Sequence, residues 1–219
     1  MLPKIYRIFA EETKSIAFAC GPGCATCCTR SVTLTTGEGR LILDFLHRNA
    51  RELPRLPIDN TPLRPPLTTN GLAALYLAGR EPEGEVDSPW LFEPCFFLHA
   101  GLCTIYAARP FACRSFGSTV NCGKTGMAEA PEWFVTLTIV VNQLLESLDQ
   151  PGYWGNLSDV LARLTAPEDP NNPAANGRLL ANQPAPELLV MPAERHLAKR
   201  FLRKVETATG LDLKNLRII

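Results

Sequence analysis

The chain has no excess of charge of either sign. Lys and Arg together number 22 and Asp and Glu number 22, so a polyanion-binding surface spread over the whole molecule is not expected, and nucleic acid is a poor candidate ligand. Long hydrophobic runs are missing too: the longest, near Phe134 to Val141, is interrupted by Thr136 and Thr138 and is too short to span a bilayer. Between Met1 and Phe18, charges at Lys4, Arg7, Glu11, Glu12 and Lys14 stand where a secretory leader needs a continuous apolar segment. These absences predict a soluble protein that stays in the cytosol. There is also no Gly-x-Ser-x-Gly elbow, phosphate-binding loop or dinucleotide fingerprint, and no internal repeat or low-complexity segment. Histidine is scarce. His47, His99 and His196 are scattered, and His99, lying between two cysteines, is the one worth testing as a metal ligand.

Cysteine is absent beyond Cys122 but dense before it. Cys20, Cys24, Cys27 and Cys28 fall within nine residues, and Cys95, Cys103 and Cys113 follow after a long gap without any. In a reducing compartment eight cysteines are ligands or redox groups before they are a disulfide framework. Cys20-x3-Cys24-x2-Cys27 puts three thiols in one compact turn whose bends Gly21, Pro22 and Gly23 permit. A tetrahedral site then lacks one ligand, which Cys95, Cys103 or Cys113 can supply from the distant segment, making metal binding part of folding. Cys28, whose side chain is expected to point away from that of its neighbour Cys27, should serve another direction. Seven or eight thiols exceed the needs of one zinc ion, which leaves a multinuclear site, an iron–sulfur cluster with spare cysteines, or two separate ions. Arg30, Arg109 and Arg114 lie beside the cysteines and can offset thiolate charge by donating to sulfur, with ordinary ion pairing as the plainer alternative. A Cys–His nucleophilic pair of Cys113 or Cys122 with His99 is a weaker reading than ligation.

The expected fold class is mainly α: an irregular cysteine-rich metal-binding lobe, residues 1–125, packed on a small helical support region, residues 126–219, with few or no short strands, the two making one compact unit. Thr35 and Glu38 form a capping-box pattern ahead of Leu41, Ile42, Phe45 and Leu46, predicting a helix over Gly37–Glu52. Pro54, Pro57, Pro62, Pro65 and Pro66 make an extended connector, followed by a short helix over Asn70–Ala78. Glu81, Glu83, Glu85 and Asp87 read as a solvated acidic loop. Pro131 precedes Trp133, Phe134, Leu137, Val141, Leu144, Leu145 and Leu148, the pattern of a deeply buried helix. A helix over Leu157–Leu164 starts at an Asn156 or Ser158 cap, residues 167–176 form an irregular loop, and a last helix spans Ala193–Ala208 with Gly210 as its C-terminal cap. That helix turns Arg195, Lys199, Arg200, Arg203 and Lys204 outward, a solvated face first and otherwise a dock for an acidic partner or a phosphate backbone.

Cys20-x3-Cys24-x2-Cys27-Cys28, then Val32-x-Leu34-Thr35-x2-Glu38, then Cys95-x7-Cys103-Thr104-Ile105-Tyr106-x2-Arg109-Pro110-x2-Cys113-Arg114-x-Phe116 resembles the YkgJ-type cysteine-cluster family, described as a zinc- or iron-chelating domain. The match covers roughly the N-terminal half. It implies bacterial origin and metal held by Cys20, Cys24, Cys27, Cys28, Cys95, Cys103 and Cys113, with Cys122 outside the pattern. Some larger relatives are flagellin lysine N-methylases, but no glycine-rich cofactor loop is present to carry that activity over. Tyr106 is expected to bury its ring with its hydroxyl tied off. Three roles therefore compete: a zinc or iron–sulfur binding protein, a metal-dependent redox or methyl-transfer enzyme with one open coordination position, and a metal-stapled interaction module.

Overall fold

The computed structural model describes residues 1–21, 23–57, 64–83, 92–166, 177–213 and 216–218. The chain runs through α1 (Leu2–Thr13), β1 (Thr33–Thr35), α2 (Thr36–Arg48), α3 (Thr69–Leu77), β2 (Leu98–His99), β3 (Leu102–Cys103), a 3-10 turn at Tyr106–Ala108, and α4 (Phe111–Ser115). It continues through α5 (Cys122–Thr125), α6 (Glu132–Leu148), β4 (Tyr153–Asn156), α7 (Leu157–Thr165), β5 (Leu180–Ala181), a second 3-10 turn at Pro192–Glu194, and α8 (Arg195–Thr209). The fold is mainly α, as the sequence predicts. Pro22, Pro62, Glu85, Asp87 and the 167–176 loop lie outside the described residues.

β1 and β4 each run straight into a capped helix. Thr35 caps α2 in a full capping box with Glu38, and Asn156 caps α7 through the Ser158 amide. The two strands pair antiparallel with Leu34 opposite Gly155, and β5 adds to the far edge of β4. The helices that follow pack closely because position 39 is glycine: a Cβ there would stand 2.7 Å from Val160 Cγ1. Val32, Leu34, Ile42, Leu46, Leu157, Val160 and Leu161 bury one apolar cluster between sheet and helices, joined by Phe97 and Ile105 from the cysteine-rich segment.

A second cluster packs α1, α6 and α8 together, through residues such as Ile5, Phe9, Leu137, Val141, Phe201 and Val205, with Phe111 inserted edge-on against Phe9 at 4.8 Å. The helix predicted from Trp133 onward is this α6, the central member. No break in packing falls at residue 125, since both clusters draw on residues from either side of it. α1 was not predicted, although Ile5, Ile8 and Phe9 recur at helical spacing and are all buried. α2 ends at Arg48, four residues before the expected Glu52, because Ala50 adopts a left-handed φ of 48° and the Arg51 amide turns back to the Leu46 carbonyl at 2.9 Å. An alanine gives no sequence warning of such a stop. Gly210 caps α8 at φ 77°, as predicted.

The basic face of α8 is not wholly outward. Glu12 of α1, with only 4% of its side chain exposed, accepts from Arg200 at 2.8 Å and from Lys204. Burial alone would push its carboxyl up, but hydrogen bonds from Lys204 and Arg200 hold it below the usual range.

Glu38 joins the two clusters. Its buried carboxylate accepts four hydrogen bonds: the Thr35 amide at 2.9 Å, the Thr35 hydroxyl at 3.1 Å, the Tyr6 hydroxyl at 2.8 Å and the Phe111 amide at 2.7 Å. Burial raises the carboxyl above its ordinary value, and these four donors offset that shift only in part. Glu38→Ala strands the buried Tyr6 hydroxyl and Phe111 amide, and should cost about 3–5 kcal/mol. Urea unfolding followed by circular dichroism checks this, with Glu38→Gln falling between the variant and the parent chain.

Candidate metal centre

The first cysteine segment is bent by local hydrogen bonds into a tight coil. The Cys24 amide donates to the Gly21 carbonyl at 3.0 Å, Gly23 takes a φ of 85° that favours glycine, and the Cys28 amide donates to the Ala25 carbonyl at 2.9 Å. The start of this coil is tied down from afar: the Ala19 amide donates to the Ser118 carbonyl at 2.7 Å, and the Cys20 thiol reaches the same oxygen at 3.9 Å. Its end is tied to the second cysteine segment. The Cys95 amide donates to the Cys28 carbonyl at 2.9 Å and the Arg30 amide to the Glu93 carbonyl at 3.0 Å, flanking an antiparallel bridge between Thr29 and Pro94.

Beyond Cys95 the chain makes a hairpin. The Leu98 amide bonds the Cys95 carbonyl at 2.8 Å, and Leu98 then pairs with Cys103 across a two-residue turn. Ala100 and Gly101 form that turn, both at positive φ, 48° and 77°, the geometry of a type I′ hairpin. Cys113 rides on α4, whose first amide is the Phe111 N–H held by Glu38. The capping pattern at Thr35 and Glu38 therefore positions a cysteine 75 residues further along the chain than Glu38 itself.

The thiols interact. Burial pushes Cys27 up to about 11, with further upward shifts from Cys28, Cys20 and Cys24. Cys95 is likewise pushed up to about 11, by burial first and then by Cys103 and Cys28, against a hydrogen bond from the Phe97 amide that favours the thiolate. Cys28 is raised by burial, then by Cys103 and Cys24, while a hydrogen bond with the Cys27 thiol acts the other way. Cys113 is raised furthest, by burial and by Cys95, Cys103, Cys28 and Cys27. Its surface is exposed nonetheless. A thiol surrounded by protein on most sides can keep an open face, and the accessible surface decides whether a solute reaches it.

The profile of the CxxCxxCC family, described as "Putative zinc- or iron-chelating domain", matches residues 19–133, more than half of the 219. The chain belongs to this family. Searches of curated proteins and of solved structures found no match.

The donor set suits a CxxCxxCC centre chemically. Several thiols in mutual repulsion are a poor place for lone thiolates and a good one for a soft or borderline cation that neutralises them. Among the described residues, however, no three His, Cys, Asp or Glu side chains already stand grouped as a metal-holding set. Zinc or iron would have to draw the sulfurs together, displacing their protons as it does so.

The three arginines have partners other than sulfur. Arg30 lies 3.9 Å from the Glu93 carboxylate; Arg109 stacks on the Tyr106 ring at 3.8 Å and donates to its carbonyl; Arg114 donates to the Arg109 and Ala107 carbonyls and sits over Tyr6 at 4.7 Å. Arg114 remains within electrostatic reach of Cys113. Tyr106 corrects the sequence reading: 63% of it is exposed, and its ring serves as a platform for Arg109 instead of filling the core. Cys27 and Cys28 lie near enough for each to perturb the other. His99 is exposed beside the hairpin turn. Cys122 is half-buried on α5, near the first coil, where a Cβ on neighbouring Gly123 would stand 3.4 Å from Thr26 Oγ1.

The raised thiols set a pH dependence. In the metal-free reduced chain, their protonated form contributes stability in full below the ordinary thiol value of 9.0, and that contribution is lost as pH rises through about 11. Metal-free protein should therefore lose stability between those limits, and zinc-loaded protein, with its thiols already deprotonated, should not. Thermal melts across this range test both halves.

Proposed function

We propose that this CxxCxxCC protein chelates zinc or iron in the bacterial cytosol through Cys20, Cys24, Cys27, Cys28, Cys95, Cys103 and Cys113. The observation that carries the reading is the backbone clip between Cys28 and Cys95, reinforced by the mutual repulsion of thiols from both segments. The clip sets two cysteine segments remote in sequence side by side, which supports a site assembled from two pieces. Zinc supplies a cation that stabilises thiolates; iron with sulfide supplies in addition a group able to pass electrons. The chain's part is to hold the sulfurs, donate the Phe97 amide to Cys95 and seat Cys95 and Cys103 on the apolar cluster of Phe97 and Ile105.

Anaerobic purification with elemental analysis and an absorption spectrum tests this. Stoichiometric zinc or iron, removed by a strong chelator with loss of thermal stability, is expected. Absence of metal together with full reactivity of all eight thiols in the native chain would overturn the reading.

A second role, as an interaction module, rests on the groove between α1 and α8. This groove, about 510 Å³, is lined by Arg7, Glu11, Arg200, Arg203 and Lys204. Its excess of positive charge suits an acidic protein partner at rim-type affinity. Reversing Arg203 to Glu, which leaves the Glu12 ion pairs in place, should weaken co-purification of such a partner with metal content unchanged.

A further inference from the structure

Beyond chelation, and independent of it, we infer that the outward strip of the cysteine-rich lobe from Leu102 to Arg109 is a docking surface for an acidic segment of a partner protein.

The strip arises from the alternation of an extended segment. The Thr104 amide and hydroxyl both donate to the Phe97 carbonyl, at 2.8 and 3.0 Å, and so carry the β2–β3 pairing one residue past Cys103. Successive side chains then face opposite ways. Ile105 turns inward and is buried, while Leu102 and Tyr106 stand 58% and 63% exposed. A lone exposed leucine means little, but here an exposed leucine and an exposed tyrosine share one short strip with two arginines.

Both guanidiniums are seated on the backbone of that strip. Arg51, just past α2, donates to the Thr104 carbonyl, and Arg109 donates to the Tyr106 carbonyl at 3.1 Å while stacking on the Tyr106 ring at 3.8 Å. Arg114 braces the same turn through the Ala107 and Arg109 carbonyls, both at 2.8 Å. An arginine carries five N–H donors, so Arg51 and Arg109 keep most of theirs for a ligand. Among the described residues neither pairs with a carboxylate.

Charge complementarity selects the occupant. From Pro94 to Ala128 the chain has no Asp or Glu, while Arg109, Arg114 and Lys124 fall within that stretch. The groove between α1 and α8 differs, because its Arg200 and Lys204 are already paired with Glu12 and its Arg7 lies 4.0 Å from Glu11. The Thr104 and Tyr106 carbonyls are two residues apart, which is at most about 7 Å, and carboxylates on alternate residues of an extended peptide have the same spacing. Fork-shaped guanidiniums suit such carboxylates, and arginine and tyrosine are the residue types that dominate protein interfaces. A nucleic-acid backbone fits less well, since its binders carry an excess of positive charge and this chain has a net charge of zero.

Fluorescence anisotropy of a short dye-labelled peptide of glutamate and leucine, titrated with the full chain, tests the surface. Binding that weakens as salt rises is expected. Arg109→Glu should weaken it about tenfold or more, and Tyr106→Ala, which changes no charge, about threefold or more. Arg203→Glu, in the α1–α8 groove, should leave it unchanged. Thermal melts matching the parent chain establish that the variants fold. No binding by the parent chain, no effect of Arg109→Glu or of Tyr106→Ala, or a loss confined to Arg203→Glu would overturn the docking surface. Displacement of the peptide by inorganic phosphate or by oligouridylate at matched ionic strength would also overturn it, marking a small-anion or nucleic-acid site instead. Metal content is measured in parallel: a chain that binds the peptide but takes up no metal overturns chelation alone.

Discussion

The buried carboxylate of Glu38 is the interaction on which the rest of this structure depends. It closes the capping box of α2 through Thr35, takes the hydroxyl of Tyr6 from α1, and receives the first amide of α4 at Phe111. One anion thus links the N-terminal helix, the β1–α2 unit and the short helix that carries Cys113. A buried carboxylate is costly unless its oxygens are satisfied, and here four donors converge on it. The arrangement is cooperative in consequence: each donor is itself buried, so none of the three elements can move off without leaving a polar group unpaired.

Upon that anchor the cysteine-rich segment is built almost without regular structure. Its order comes from a few long-range backbone bonds, at Ala19–Ser118, Arg30–Glu93 and Cys28–Cys95, and from three apolar side chains, Phe97, Ile105 and Phe111, that plug it into the two cores beneath. Such a lobe has little apolar area of its own to bury, and its thiols repel one another when ionised. A bound cation relieves both weaknesses at once, since it cross-links the segments and neutralises the sulfurs. The arginines nearby are engaged by carbonyls, by Glu93 and by aromatic faces. They stiffen the lobe's rim and contribute positive potential to it, with Arg114 within electrostatic reach of Cys113.

Much of the helical framework was legible in the residues. The Thr35 and Glu38 capping pattern, the apolar recurrence in α6, the Asn156 cap and the Gly210 stop are local signals, and local signals survive because they depend on neighbours three or four residues away. The cysteine spacing was legible for the same reason, as was membership of the CxxCxxCC family, whose motifs are contiguous strings. Other features left no local trace. The stop at Ala50 uses a residue that gives no warning, and α1 went unread although its apolar spacing was available. Tyr106 looked like a core tyrosine because sequence shows a ring but not the arginine that will cover it. Arg200 and Lys204 looked wholly outward because their partner, Glu12, lies nearly two hundred residues earlier.

The sequence alone determined that this is a mainly helical chain with seven thiols in two family-like motifs. Those properties reside in composition and in short-range order. Only the tertiary structure decided that the Cys95 amide bonds the Cys28 carbonyl and that a helix-capping glutamate also holds the helix of Cys113. Each of these is a pairing between segments far apart in the chain, chosen by antiparallel register and by the need to satisfy one buried charge. No pattern confined to a single stretch of residues encodes that choice.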